Sequence, residues 1–275
     1  MNAVAETSHL PRLAYRGRVT QWGVLRSEWT KLRSVRSTAW SLAAAFVLTI
    51  ALAALAAAVV VNHWPHMQAH DRADFHPLDV AQVGVQLAQL AIGVLGVLLI
   101  TAEYSTGMIR ASMTAVPRRL PVLAGKAVVY ALVTFCLMAP ASLAAFFSSQ
   151  AILSGRNIQT SFTAAGVPRA VIGAALYLTV IGLFGLGLGA IVRNTAGGIA
   201  AFAGILFVLP PLMNVLPTSW NNAASPYLPL IAGQAVMAVT RGAHQLRPWT
   251  GLVLLCAYAA AALAVASILL VRRDT

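Results

Sequence analysis

Six long apolar runs, separated by short polar stretches, set the pattern of this chain: Ala39 to Val61, Val80 to Ala102, Val122 to Ala151, Pro168 to Val192, Ala196 to Leu216 and Thr250 to Val271. Each is long enough to cross the roughly 30 Å hydrocarbon core of a bilayer as a helix of about 20 residues. A water-soluble helix or strand would repeat a polar face through such segments, whereas these runs are apolar all round. The pattern predicts an all-α, polytopic membrane protein, with six transmembrane helices in a single transmembrane domain over residues 1–275.

Charge fixes a direction for that topology. The formal net charge is +12, yet only 9% of the residues are charged, so the basic side chains fall almost entirely in the connections. The leader from Arg12 to Arg36, the connection with Arg110, Arg118, Arg119 and Lys126, the turn at Arg193 and the tail at Arg272 and Arg273 all share one side of a six-span chain. The other side has Arg72, Arg156, Arg169, Arg241 and Arg247, with Asp71, Asp74 and Asp79 in its first loop. The positive-inside rule therefore places both termini of this multi-pass chain in the cytoplasm. Dispersed charge with no basic stripe on a soluble domain argues for membrane lipids and against nucleic acid as the partner. The charged leader is too long for a signal-peptide n-region and the first run too long for an h-region, so the first run is expected to remain as an anchor.

Two segments outside the six runs carry their own patterns. Trp22, Leu25, Trp29 and Leu32 recur at intervals of three, four and three, with Arg26, Glu28, Lys31, Arg33 and Arg36 on the remaining faces. This spacing predicts an amphipathic N-terminal helix over 20–37 lying in the inner-leaflet interface, and residues 1–19 read as disordered. The alternative for 20–37 is a short soluble segment whose charges only set topology. Between the fifth and sixth runs, Pro217 to Pro248 contains an apolar stretch, Tyr227 to Val239, too short to cross the core. A seventh crossing would also put Arg272 and Arg273 outside, so an outer re-entrant or interfacial hairpin is expected before the last span.

Candidate chemistry is sparse. No Walker glycine loop, zincin helix or nucleophile elbow occurs, so no catalytic residue is assigned and no cofactor is expected on this chain. His63, His66, His70 and His76 gather in the first outer loop with Asp71 and Asp74, but without the paired spacing of a closed metal site, and read as a solvated polar loop. Cys136 and Cys256 lie in separate runs and read as small apolar filler. Gly185 and Gly189 form a small-xxx-small pair suited to helix packing. In the second run Gln82, Gln86, Gln89, Gly93 and Gly96 share one helical face. Buried amides need partners, so this face either joins helices or lines a transport pathway. No Asp or Glu falls within a run, and Lys126 and Arg169 lie near run ends, where they are expected to snorkel. A proton- or sodium-coupled carrier would need ion-binding groups at mid-membrane, which weighs against that class.

The connection after the second run reads Glu103, Tyr104, Ser105, Thr106, Gly107, Met108, Ile109, Arg110, followed by Pro117, Arg118, Arg119 and Lys126. Together with the leader Ser27 to Arg33, and with Tyr227-Leu-Pro229 and Ala232-Gly-Gln234 before the last run, it resembles the permease subunit of type-2 ATP-binding-cassette (ABC) exporters, especially the small Ala- and Arg-rich permeases of actinobacteria. The resemblance covers most of the chain. It implies that Glu103, Tyr104, Thr106, Gly107, Arg110, Arg118 and Arg119 belong to a short coupling segment that docks on a separate ATPase subunit, with Glu103 and Arg110 making the contact. It further implies pairing with a second copy or a sister permease, ATP and Mg held by the partner ATPase, and a second-run face of Gln82, Gln86, Gln89, Gly93 and Gly96 turned to the pathway or dimer centre. The competing classes are an ion-coupled secondary transporter and a non-transporting multi-span scaffold or immunity protein.

Overall fold

The computed structural model describes residues 20–105, 120–240, 242 and 245–272, and among them every regular element is helical. Thr20 accepts a hydrogen bond from the Gly23 N–H at 3.2 Å and caps α1, Gln21–Ser34. Val35 is extended and breaks the chain there, so the helix predicted over 20–37 stops three residues early and Arg36 opens the next. The remaining helices are α2 (Arg36–His63), α3 (Ala69–Ala73), α4 (Pro77–Ser105), α5 (Leu120–Leu153), α6 (Val167–Val192), α7 (Thr195–Ala203), α8 (Leu209–Met213), α9 (Thr218–Ala224), α10 (Pro229–Gln234) and α11 (Pro248–Arg272). Residues 1–19, read from the sequence as disordered, lie outside the described residues.

Among the described residues, six segments are long and apolar enough to cross a membrane: α2, α4, α5, α6, the joined pair α7 and α8, and α11, the architecture of a multi-pass membrane protein. They coincide with the six apolar runs. Most of these helices continue one to three residues past the run at each end, because backbone hydrogen bonding does not stop where the side chains turn polar. The fifth segment is shorter than its run and irregular. Pro210 and Pro211 have no N–H to offer the carbonyls a turn earlier, and the helix widens into a π turn over Gly204–Val208 before α8 ends at Met213.

The core is built on α4 and α6, whose backbones touch. A Cβ on Gly185 would lie 2.3 Å from the Gly93 carbonyl oxygen, and one on Gly96 would lie 2.3 Å from that of Gly182. With no water to drive helices together in a bilayer, such close approach supplies the dispersion contact that holds them. Tyr130, Tyr177, Ile92, Phe202 and Leu255 fill the space around this seam.

Two ends follow from the antiparallel order. At one, α1 meets the start of α5 and the end of α4, and the Arg193 guanidinium after α6 donates to the Leu269 carbonyl near the end of α11 at 3.0 Å. At the other, α10 packs on the starts of α4, α6 and α11. There the Gln82 amide donates to the Met237 carbonyl at 2.9 Å and the Arg169 guanidinium to the Ala238 carbonyl at 2.9 Å. Arg169 thus satisfies backbone carbonyls after α10 that no helical N–H reaches.

Candidate functional site

Only one face of α1 is packed: Val24 and Glu28 are buried and Leu25, Lys31 and Leu32 are partly covered. Trp22 and Trp29 remain 75% and 49% exposed. The stripe expected from the sequence is therefore divided, its two leucines turned toward the bundle and its two tryptophans sharing the outer face with Arg26 and Arg33. Glu28 explains the rotation. As the one acid on α1, it is matched by cations inside the bundle, and the helix rolls to deliver it there.

The result is a four-charge cluster drawn from three helices. The Lys126 ammonium of α5 lies 2.5 Å from Glu28 Oε2 and 2.9 Å from Glu103 Oε1 of α4. The Lys31 ammonium lies 2.6 Å from Glu28 Oε1 and 3.2 Å from Glu103 Oε1. Glu28, Glu103 and Lys126 are only 4%, 5% and 6% exposed, whereas Lys31 keeps an open side. Two carboxylates and two ammonium groups sum to zero, the condition under which charges persist in a low-dielectric setting. Burial acts to lower the Lys31 pKa, but the hydrogen bond its ammonium donates to Glu28 and the charges of Glu103 and Glu28 outweigh it, and the net shift is upward. Lys126 does not snorkel as its position near a run end suggested. Two carboxylates within hydrogen-bonding distance hold it inside.

The proposed coupling segment is placed only in part. Thr106, Gly107, Arg110, Arg118 and Arg119 lie outside the described residues. Glu103 is turned into the cluster, and the Tyr104 ring lies under the Arg193 guanidinium at 5.1 Å from its centroid, a cation–π contact. Both residues that open the segment are thus engaged by their own chain. Glu28 and Lys126 were not singled out as site residues from the sequence. For Glu28 the signal was the rarity of acids, since Glu28 and Glu103 are two of only seven.

Beside the cluster, α1, α2, α4 and α5 enclose a cavity of about 300 Å³. Leu32, Leu95, Leu98, Leu99 and Val129 give it a hydrocarbon lining, and Ser37, Thr38 and Ser41 of α2 add hydroxyls. Volumes of ~300–1,000 Å³ are typical of small-ligand sites.

At the α10 end, besides Arg169 and Asp79, the polar side chains are neutral amides and a phenol. Gln86 Oε1 accepts from the Gln89 amide at 3.2 Å and from the Gln234 amide at 3.1 Å. The buried Tyr177 hydroxyl of α6 donates to Gln89 Oε1. Gln82, Gln86 and Gln234 also border a polar pocket of about 190 Å³ with Asp79 and Gln245. Farther along the same face, Gly93 faces Phe202, whose ring would lie 1.8 Å from an added Cβ, and Gly96 meets α6. The five-residue face read from the sequence thus serves contacts within the chain over most of its length: Gln89, Gly93 and Gly96 are buried, and only Gln86 is open.

Among the described residues no group of three or more His, Cys, Asp or Glu side chains is arranged to hold a metal. In the first loop His70 lies 3.5 Å from Asp74, both exposed. Compared with protein-family models and with curated proteins, the chain has no match.

Proposed function

We propose that this chain is the membrane-spanning permease subunit of an ABC exporter, paired with a second copy or a sister permease and driven by ATP hydrolysed, with Mg, on a separate subunit. Its place is the bacterial plasma membrane, with both termini and the α1 end cytoplasmic. The segment from Pro217 to Pro248 is then the outer hairpin, lying re-entrant or at the interface.

The observation that carries this reading is the way the ion cluster grips the connection from α4 to α5. Glu103 precedes residues 106–119 and Lys126 follows them; the two pair with each other, and each also pairs with α1, Lys126 with Glu28 and Glu103 with Lys31. A force applied to that connection by a docked ATPase reaches α1, α4 and α5 together, because salt-bridged groups at 2.5 to 2.9 Å leave little slack between them. Charge agrees with the orientation: Arg26, Lys31, Arg33, Arg36, Lys126, Arg193 and Arg272 are all at the α1 end.

Because Glu103 is committed to the cluster, Arg110 is the better probe of docking. Purification in mild detergent is expected to recover a stoichiometric ATPase subunit, and Arg110→Glu is expected to abolish substrate stimulation of its ATPase activity while membrane insertion is retained. Recovery of the chain without an ATPase, with transport in liposomes driven by an ion gradient alone, would replace this reading with a secondary carrier.

A further inference from the structure

The cavity beside the ion cluster plays no part in holding α1, which the ion pairs and Val24 already do. Its inner wall is Thr38, Leu95 and the buried groups of Glu103 and Lys126, whereas Val35, Ser37, Leu98 and Ala102 at its mouth are exposed. Leu98 and Ala102 belong to a membrane-length helix, so the mouth opens sideways, into the layer where acyl chains meet headgroups. Water gains little from a space whose lining surface is mostly hydrocarbon, and an empty one forfeits dispersion contacts.

An amphiphile with a long hydrocarbon chain matches this lining. The sign of its head is set by the surroundings. Among the described residues, the carboxylates at this end are Glu28 and Glu103, both consumed in the cluster, while Arg26, Arg33, Arg36 and Arg272 add positive charge around it. Lys31, with its side chain 28% exposed, is the least covered member of the cluster and lines the cavity. Exposed Trp22, Trp29 and Trp40 mark the same level as headgroup depth.

We propose that this cavity binds one acyl chain of an anionic membrane phospholipid, with the phosphate at the mouth beside Lys31, Ser37 and Ser41. Bound there, the lipid fills the wedge between α2 and α4 and adds a hydrocarbon contact to the ionic one that fastens α1. This rests on the membrane architecture alone and stands whether or not an ATPase partner exists.

The test uses the full-length chain, with any subunits that accompany it, in vesicles of phosphatidylglycerol and phosphatidylcholine. Either lipid carries a photoactivatable diazirine on its acyl chain, and adducts are mapped by mass spectrometry. The phosphatidylglycerol probe is expected to concentrate on residues 37–41 and 95–102, about fivefold above the phosphatidylcholine probe, the preference one favourable basic contact supplies. Lipid-facing positions such as Leu55 and Val265 should show no such difference. Ala102→Trp, which fills the mouth without touching the cluster, is expected to remove the enrichment. Should that variant fail to fold, the headgroup comparison on the unaltered chain decides by itself. Labelling spread evenly over the lipid-facing surface, or equal labelling by the two headgroups, overturns the proposal.

Discussion

The two ends of this bundle hold polar groups among apolar helices by different means. At the α1 end four full charges neutralise one another across three helices, whereas at the α10 end amides, a phenol and the Arg169 guanidinium donate single hydrogen bonds to neutral acceptors. A charged group buried without its partner is far more costly than an amide that loses one bond. The ionic end therefore demands one arrangement of α1 against α4 and α5, whereas the amide end tolerates rearrangement. Because replacing a buried ion pair with apolar groups is often neutral, the cluster is better understood as specifying where α1 docks than as adding net stability.

Lys126→Ala tests the comparison most severely. It leaves Glu28 and Glu103 with Lys31 alone, and we expect a loss of ~3–5 kcal/mol in thermal or denaturant unfolding in detergent. Replacing Glu28, Lys31, Glu103 and Lys126 together by apolar residues of similar size should recover much of that loss. If the single and fourfold variants were equally unstable, the cluster would be a source of stability and not of specificity.

Tyr177→Phe probes the other end at constant shape. It removes the hydroxyl donated to Gln89, and the expected loss is ~0.6 kcal/mol and at most ~1.7. An effect as large as that of Lys126→Ala would erase the distinction between the two ends.

The smallest effect belongs to Lys31, the partly exposed member of the cluster. Lys31→Gln should cost ~0–1 kcal/mol, since solvent screens its pairs. Its pKa is raised, so its contribution is present in full below the ordinary lysine value of 10.5 and disappears only as pH climbs through the higher folded value. The melting difference between Lys31→Gln and the unaltered chain should hold steady from neutral pH up to 10.5 and shrink as pH climbs on through the higher folded value. A difference that vanished below pH 10.5 would contradict the stated direction.

The comparison also separates what could be read in the sequence from what could not. All six spans were legible because an apolar run of membrane length has few other uses. The glutamine face was legible for the same kind of reason: its spacing of four and three is local. Its partners were not, since Tyr177 is 88 residues from Gln89 and Gln234 is 148 from Gln86. The ion cluster was harder still. Lys126 near the start of a run looks like a residue that reaches for water, and only the arrival of Glu28, 98 residues away, gives it a reason to stay inside. The tryptophans of α1 misled in the opposite sense: a stripe of four apolar residues suggested one common face, but a single acid on the helix decided its roll.

The distance in sequence between Glu28 and Lys126 also imposes an order on biogenesis. A ribosome adding ~5–20 residues per second makes Glu28 roughly 5–20 s before Lys126, which follows it by 98 residues. During that interval α1 has no third helix to receive it and must wait at the membrane surface while α2 and α4 insert. Lys31, one turn from Glu28 and synthesised almost at once, is the interim counter-ion. Its pairing with Glu28 keeps the carboxylate compensated until α5 enters the bilayer and completes the nascent assembly.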